Sequence, residues 1–340
     1  MISSNVDLSA GRDFLAQQPI LDARASAAKA VRDGLLRKPK SLPAWLLYDE
    51  TGSTLFEDIT RLPEYYPSRT ERSILAAHAG EMMDSAGLPP AIIELGAGSA
   101  SKTRLLLQAL LDRRSPVRYT PVDVSPAAIS QAVEGLEDLP RLEISPVVAK
   151  YPDDLTFMHR VSGRRLILFL GSNIGNYDPV AAGELLSAVS SHLSPGDALL
   201  IGTDLLKSPA LLVPAYDDAD GVTARFNKNV LRRINRELGG TFDLDKFEHT
   251  VCWNRIESRV ELYLQSTVEQ RVAISALQAE VRFTRGERIH TESSYKFTAT
   301  MIRRLLNGSG FSLERTWYDK RRWYALHLAQ IAGQPAVSHP

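Results

Sequence analysis

The stretch Ala91-Ile92-Ile93-Glu94-Leu95-Gly96-Ala97-Gly98-Ser99 constrains this chain more than any other. An apolar run ends in an acid and breaks into a glycine-rich turn. Helix-compatible residues follow from Lys102 to Leu111, and a second apolar run, Tyr119-Thr120-Pro121-Val122, ends in Asp123. Strand, glycine turn, helix and strand in that order open a nucleotide-binding βαβ unit. The glycines let the backbone turn sharply and come close to a ligand. An acid at the tip of the second strand can accept hydrogen bonds from both hydroxyls of a ribose. The paired acids, Glu94 and Asp123, strengthen the case for a nucleoside ligand.

Where a dinucleotide site has its third glycine, this chain has Ser101 or Lys102. A side chain there crowds a pyrophosphate, a group that S-adenosylmethionine lacks. The form E-x-G-x-G with a later acid therefore suggests the methyl donor, although the motif alone leaves a dinucleotide open.

Downstream the pattern keeps alternating. Strands are expected at Arg118 to Val122, Leu142 to Ala149, Arg165 to Leu170 and Ala198 to Thr203, with helices at Ser101 to Arg113, Pro126 to Glu134 and Pro179 to Leu193. The unbroken apolar run at 165–170 suits a strand buried on both faces. This rhythm predicts an α/β fold, a doubly wound, Rossmann-like parallel sheet with its ligand beyond the carboxyl ends of the strands. Residues 206–285 break the rhythm. A helix at Val222 to Leu238 precedes alternating strands at Val251 to Trp253, Arg259 to Ser266 and Arg271 to Leu277, and 287–295 is extended. A helix at Thr298 to Leu306 and a closing strand pair, Thr316 to Tyr318 with Trp323 to Leu328, return to the main sheet. Near the N-terminus, residues 16–19 close a loose segment and 21–37 have helical spacing. A turn at Gly52 precedes a short helix around Leu55 to Ile59. Leu62 to Arg69, with Pro63 and Pro67, reads as irregular or extended, and Thr70 as the cap of a helix from Glu71 to about Met83. The expected division is 70–205 with 296–330 as the nucleotide-binding domain, and 15–69 with 206–295 as a smaller α+β substrate domain.

Bulk properties narrow the function. The formal net charge is zero over 340 residues, which argues against nucleic acid or an anionic membrane as partner. The basic clusters at Arg32, Arg37, Lys38 and Lys40 and at Lys320-Arg321-Arg322 read as solvated surface charge. Cys252 is the single cysteine, so no intrachain disulfide or thiolate metal cluster is expected, and a cytoplasmic setting is the default. Neither a signal-peptide pattern nor an apolar run of spanning length is evident. The seven histidines show no metal-binding spacing. A monomer acting on a small molecule is the simplest expectation.

Further segments carry a more specific signal. They are Tyr48-Asp49-Glu50-Thr51-Gly52-Ser53, Arg61-Leu62-Pro63-Glu64-Tyr65-Tyr66-Pro67, Phe169-Leu170-Gly171-Ser172-Asn173-Ile174-Gly175-Asn176, Gly202-Thr203-Asp204-Leu205, Ala215-Tyr216-Asp217-Asp218, Phe226 to Leu231, and Thr291-Glu292-Ser293-Ser294-Tyr295-Lys296-Phe297. With the glycine motif they span about residues 40 to 300. In these segments the chain resembles the histidine-specific α-N-methyltransferases of ergothioneine biosynthesis.

The resemblance implies a Rossmann-like methyltransferase that uses S-adenosylmethionine to methylate the α-amine of L-histidine three times, giving hercynine. It implies that Tyr65, Asn176 and Tyr216 hold the amino and carboxylate groups and that Tyr48 lies near the amine. Gly171 and Leu262 join the substrate set, and Glu292 and Ser294 bind the imidazole. Gly96, Gly98, Lys102 and Asp123 line the cofactor, with Tyr151 flanking its ring. No metal is needed. The residues support part of this independently: Glu292 and Ser294 are two apart in an extended stretch, so both point to one face. Two positions depart from the family pattern. Lys150 stands where an acid usually accepts from the adenine amine, so either Asp153 or a backbone carbonyl takes that task or the adenine is held less tightly. Leu262 replaces a methionine near the imidazole. Relatives acting on tryptophan-like substrates are disfavoured by Glu292. A non-catalytic cofactor sensor is disfavoured by the intact substrate set, and a nicotinamide dehydrogenase by the missing third glycine.

Overall fold

The computed structural model describes residues 20–152 and 154–332. The readings placed on residues 16–19 and on Asp153 lie outside them, as does the expected domain boundary at residue 15. Among the described residues, no helix is long and apolar enough to cross a membrane.

The N-terminal part contains α1 (Ile20–Leu35), the two-residue strand β1 (Lys40–Ser41), α2 (Glu50–Arg61) and α3 (Tyr66–Ser85). Three expectations are corrected here. Gly52 lies inside α2, whose first turn is capped by the Asp49 carboxylate accepting from the Gly52 N–H at 2.8 Å. A Cβ at Gly52 would meet the Leu47 carbonyl at 1.7 Å, so glycine serves close packing there. The stretch 62–69 is not extended throughout: α3 starts at Tyr66 with Pro67 in its first turn, so Thr70 is no cap. Proline is tolerated there because its missing N–H has no intrahelical partner to lose. Lys40, expected at the surface, is 5% exposed and paired with Glu287.

The main sheet follows. Its strands are β2 (Ala91–Leu95), β3 (Val117–Asp123), β4 (Leu142–Ile144), β5 (Val147–Val148), β6 (Arg165–Phe169) and β7 (Ala198–Asp204), interleaved with α4 (Thr103–Leu111), α5 (Pro126–Glu134) and α6 (Pro179–Ser191). The expected third strand is two short ones, broken at Pro146, which has no N–H for the ladder. The 206–295 segment supplies α7 (Val222–Leu238), β8 (Phe247–Asn254), β9 (Arg259–Ser266), β10 (Gln270–Ile274), β11 (Ala279–Phe283) and β12 (Arg288–Tyr295). Finally, α8 (Ala299–Gly308), β13 (Phe311–Tyr318) and β14 (Tyr324–Ile331) complete the main sheet.

Strand order in the main sheet is β13-β14-β7-β6-β2-β3-β4, with β5 also on β3. β2 to β7 run parallel, while β14 is antiparallel to β7 and β13 to β14, so the closing pair is as expected. Side chains alternate between two cores. Leu166 and Leu168 pack with α3 and α4, whereas Ile167 and Phe169 pack with α6 and α8. After β2 the chain moves to β3 on one side, and β6 returns on the other. That reversal opens a crevice at the carboxyl ends of β2 and β6.

A second sheet, ordered β1-β12-β9-β8, carries a separate core with α1, α2 and α7. β10 and β11 form a hairpin beside it. β8 is longer than expected, β10 ends earlier, and β11 was not anticipated. Between His290 and Glu292 the pairing of β12 with β9 shifts by one residue, a bulge at Thr291. Because of the bulge, Glu292 lies opposite Leu262.

Candidate functional site

The turn after β2 shapes one end of a cavity of about 730 Å³. Gly96 and Gly98 take left-handed backbone angles, φ +72° and +53°, where a Cβ is disfavoured. At Gly96 space is also short: a Cβ would lie 2.5 Å from Asn173 Nδ2 and 2.8 Å from the Tyr151 hydroxyl. Asp123, at the end of β3, accepts from the Gly98 N–H at 3.0 Å and the Ser125 N–H at 2.9 Å, one bond to each oxygen. Burial raises its pKa, and these N–H groups oppose the rise. Each oxygen keeps acceptor capacity for a ligand. Gly96, Gly98, Asp123 and Tyr151 all line this cavity. A diol acceptor, a turn without side chains and an aromatic ring together fit the nucleoside of S-adenosylmethionine.

Glu94 does not share this role. It is 2% exposed and accepts the Thr103 hydroxyl at 2.6 and 2.7 Å and the Tyr119 hydroxyl, so it ties β2 to α4 and β3. Burial pushes its carboxyl up to about 7. The paired-acid reading is thereby corrected: Asp123 lines the cavity, and the described lining does not include Glu94.

The described linings of the large cavity and of the space beside it do not include Lys102. Its ammonium is bonded to Glu71, a fully buried carboxylate that also accepts from the Gly171 N–H at 2.9 and 3.0 Å and from the Tyr324 hydroxyl at 2.8 Å. A Cβ at Gly171 would stand 3.5 Å from Lys102 Nζ. Lys102 and Glu71 thus hold the β6 exit loop at Gly171.

Beyond that loop is a small inner chamber. Its lining includes Tyr48, Tyr65, Gly171, Asn176, Tyr216, Leu262, Glu292 and Ser294, which are all the expected substrate residues. Tyr48, Phe56, Asn173, Asn176 and Glu292 line both spaces, so the chamber adjoins the large cavity. The 3₁₀ turn Asn173–Asn176 sets that boundary. Gly175 permits it, because a Cβ there would lie 2.9 Å from the Tyr295 carbonyl of β12. Aromatic edges form one wall: Tyr48 meets Phe56 and Phe226 at centroid distances of 5.6 and 5.4 Å, and Tyr65 meets Phe56 and Tyr216 at 6.1 and 6.2 Å. Burial raises the pKa of Tyr48, Tyr65 and Tyr216 well above that of a free phenol, so all three are neutral. Burial also pushes Glu292 up to about 7, against the pull of Lys296.

Sequence reasoning missed four contributors. Asn173 stands between the two spaces, and Phe56 and Phe226 build the aromatic wall. Lys296 is fully buried behind the chamber. Both Asn173 and Lys296 lie in quoted motifs, so their positions were visible even though their roles were not. At the adenine end, Lys150 lines the large cavity with its ammonium 5.2 Å from the centre of the Trp45 ring.

The comparisons agree on one family. A family model described as "Histidine-specific methyltransferase, SAM-dependent" matches residues 27–331. The chain is similar to a histidine N-alpha-methyltransferase of Mycolicibacterium smegmatis, 44% identical over 93% of this chain and 98% of that one. A histidine N-alpha-methyltransferase of Mycobacterium tuberculosis is also 44% identical, over 88% and 93%. Ergothioneine biosynthesis protein 1 of Neurospora crassa is 30% identical over 85% of this chain and 33% of that longer one. With the glycine turn, Asp123 on the cavity wall and the inner chamber already in place, the match over nearly the whole length shows that this chain belongs to the histidine-specific, S-adenosylmethionine-dependent methyltransferase family.

Proposed function

We propose that this protein transfers methyl groups from S-adenosylmethionine to the α-amine of L-histidine, three in succession, giving hercynine in the first step of ergothioneine biosynthesis. The observation that carries the reading is the pairing of a buried carboxyl, Glu292, with the Ser294 hydroxyl on one strand of an inner chamber next to the nucleoside cavity. A carboxylate and a hydroxyl can meet the two nitrogens of one imidazole.

When bound, S-adenosylmethionine supplies a methyl group already activated on a sulfonium. In this reading Asp123 accepts from the ribose hydroxyls, Gly96 and Gly98 give the backbone close approach, Tyr151 flanks the ring, and Lys102 steadies the loop at Gly171. Glu292 and Ser294 hold the imidazole, with Leu262 filling the space beside it. Asn176, Tyr65 and Tyr216 orient the amine and carboxylate, placing the amine nitrogen for in-line attack. The phenols are hydrogen-bond partners and not bases, since burial keeps them protonated. The proton of the amine leaves through water. As methyl groups accumulate, the head group loses donors and becomes permanently cationic, and the wall of Tyr48, Phe56, Tyr65 and Phe226 gives it aromatic surface.

The separate cores support dividing the chain into a cofactor unit, 70–205 with 296–330, and a substrate unit, 15–69 with 206–295. The lone cysteine favours a reducing, cytoplasmic setting, and both spaces are lined within one chain, as a monomer requires. Incubation with S-adenosylmethionine and each of the twenty amino acids in turn, followed by mass spectrometry, tests the reading. One to three added methyl groups on histidine alone is the expected result; no product with any amino acid contradicts it.

A further inference from the structure

Lys296 has no part in the mechanism above. It is 0% exposed, and the described lining of neither chamber includes it. Its ammonium nonetheless has three N–H groups and three acceptors: Tyr216 Oη at 2.7 Å, Ser294 Oγ at 2.8 Å and Asp204 Oδ2 at 2.9 Å. Asp204 ends β7 and is also held by Lys207 at 2.5 Å and by the Tyr66 hydroxyl at 2.9 and 2.8 Å. The ammonium is therefore fixed from the main sheet, and the two hydroxyls it touches both face the inner chamber.

Hydrogen counting gives the consequence. Tyr216 Oη and Ser294 Oγ are 2.8 Å apart, and either can be the donor. Each oxygen already accepts from Lys296. The count is symmetric: whichever hydroxyl accepts from the other has filled both lone pairs and can only donate onward. A bare ring nitrogen beside Ser294 selects the arrangement in which Tyr216 donates to Ser294 and Ser294 is left as the donor.

We propose that Lys296 is a positioning residue that holds the Tyr216–Ser294 pair and fills a lone pair on each hydroxyl, so that Ser294, once it accepts from Tyr216, can meet the substrate imidazole only as a hydrogen-bond donor to its unprotonated nitrogen. This inference rests on the assignment of Glu292 and Ser294 to the imidazole. With Glu292 accepting and Ser294 donating, the chamber matches a neutral imidazole, which has one N–H and one bare nitrogen. An indole ring has no acceptor for Ser294 and leaves it unpaired. A site built to bond a substrate group rejects the analogue that lacks it. Without Lys296 each hydroxyl regains a free lone pair, and Ser294 can accept from the chamber even while Tyr216 donates to it.

Lys296→Met tests the proposal. The substitution keeps an unbranched stem of similar length, and Asp204 keeps Lys207 and Tyr66 as partners. The expected result is a rise of about tenfold in KM for histidine, the loss of one oriented hydrogen bond, with kcat within about threefold and S-adenosylhomocysteine affinity by calorimetry unchanged. In a Ser294→Ala background the added Lys296→Met should change KM by less than about twofold, because its effect passes through Ser294. An unchanged histidine KM in a variant that binds cofactor normally overturns the proposal, as do penalties that simply multiply. Lys296→Gln, which retains a donor, is the second variant. Loss of cofactor binding in both would make Lys296 a folding residue and also overturn the proposal. If Ser294→Ala alone leaves KM unchanged, the imidazole assignment itself fails, a separate outcome.

Discussion

At position 292 a carboxyl sits among Tyr48, Tyr65 and Tyr216 with Lys296 behind it, and burial pushes its titration up to about 7. Its native pKa exceeds the ordinary value near 4.5, so the folded state holds the proton more tightly than the unfolded state. The stabilisation from that proton is complete below about pH 4.5 and is lost as pH rises through about 7. Glu292→Gln removes this dependence. Urea melts of the ligand-free protein should show the variant gaining on the wild type by about 2 to 3 kcal/mol between pH 5 and pH 8. An equal difference at both pH values contradicts the burial argument. The Glu292–Ser294 pair was legible in sequence because period-two alternation puts both on one face. Lys296, Asp204 and Glu71 were not. Their partners lie far off in the chain, as with Glu71 and Gly171, and a buried ionic residue looks like a surface one in a linear pattern.

Among the elements, the turn Asn173–Asn176 and strand β12 depend most on each other. A Cβ at Gly175 would lie 2.9 Å from the Tyr295 carbonyl, a backbone atom that cannot rotate aside. Gly175→Ala should push β12 from the turn and move Asn176 relative to Glu292. The expectation is a fall of about tenfold or more in kcat/KM for histidine, with a stability loss of about 1 to 3 kcal/mol from overpacking. Steady-state kinetics and a urea melt check both; wild-type kinetics count against the contact. The sequence revealed the parallel strands through their continuous apolar runs and missed local events. The start of α3 at Tyr66 was hidden because proline reads as a breaker, although it suits a first helical turn. The bulge at Thr291 has no signal in composition. Even so, the one-face reading of Glu292 and Ser294 survived, because both lie past the bulge.

Across the whole molecule, two sheets with separate cores meet around adjoining spaces, and Tyr48, Phe56, Asn173, Asn176 and Glu292 border both. A ligand in the large cavity touches residues of both sheets, such as Asp123 of β3 and Glu292 of β12, and should stabilise them together. S-adenosylhomocysteine at about one hundred times its Kd should add about 2.7 kcal/mol to unfolding. Asp123→Asn should reduce the resulting thermal shift at the same ligand concentration; an unchanged shift would remove Asp123 from the ribose site. The motif at 91–123 foretold the cavity that Gly96, Gly98 and Asp123 line. Apart from the Glu292–Ser294 alternation, the inner chamber was legible only through family resemblance, since its residues come from β12, the N-terminal helices and the 206–295 segment. In the proposed reaction the chamber holds the imidazole away from the methyl donor and directs the α-amine toward it. Proton NMR of the purified product of histidine and S-adenosylmethionine distinguishes the two sites of transfer. One trimethylammonium resonance with an unmethylated ring is expected, and an N-methyl resonance on the imidazole would overturn the proposed orientation.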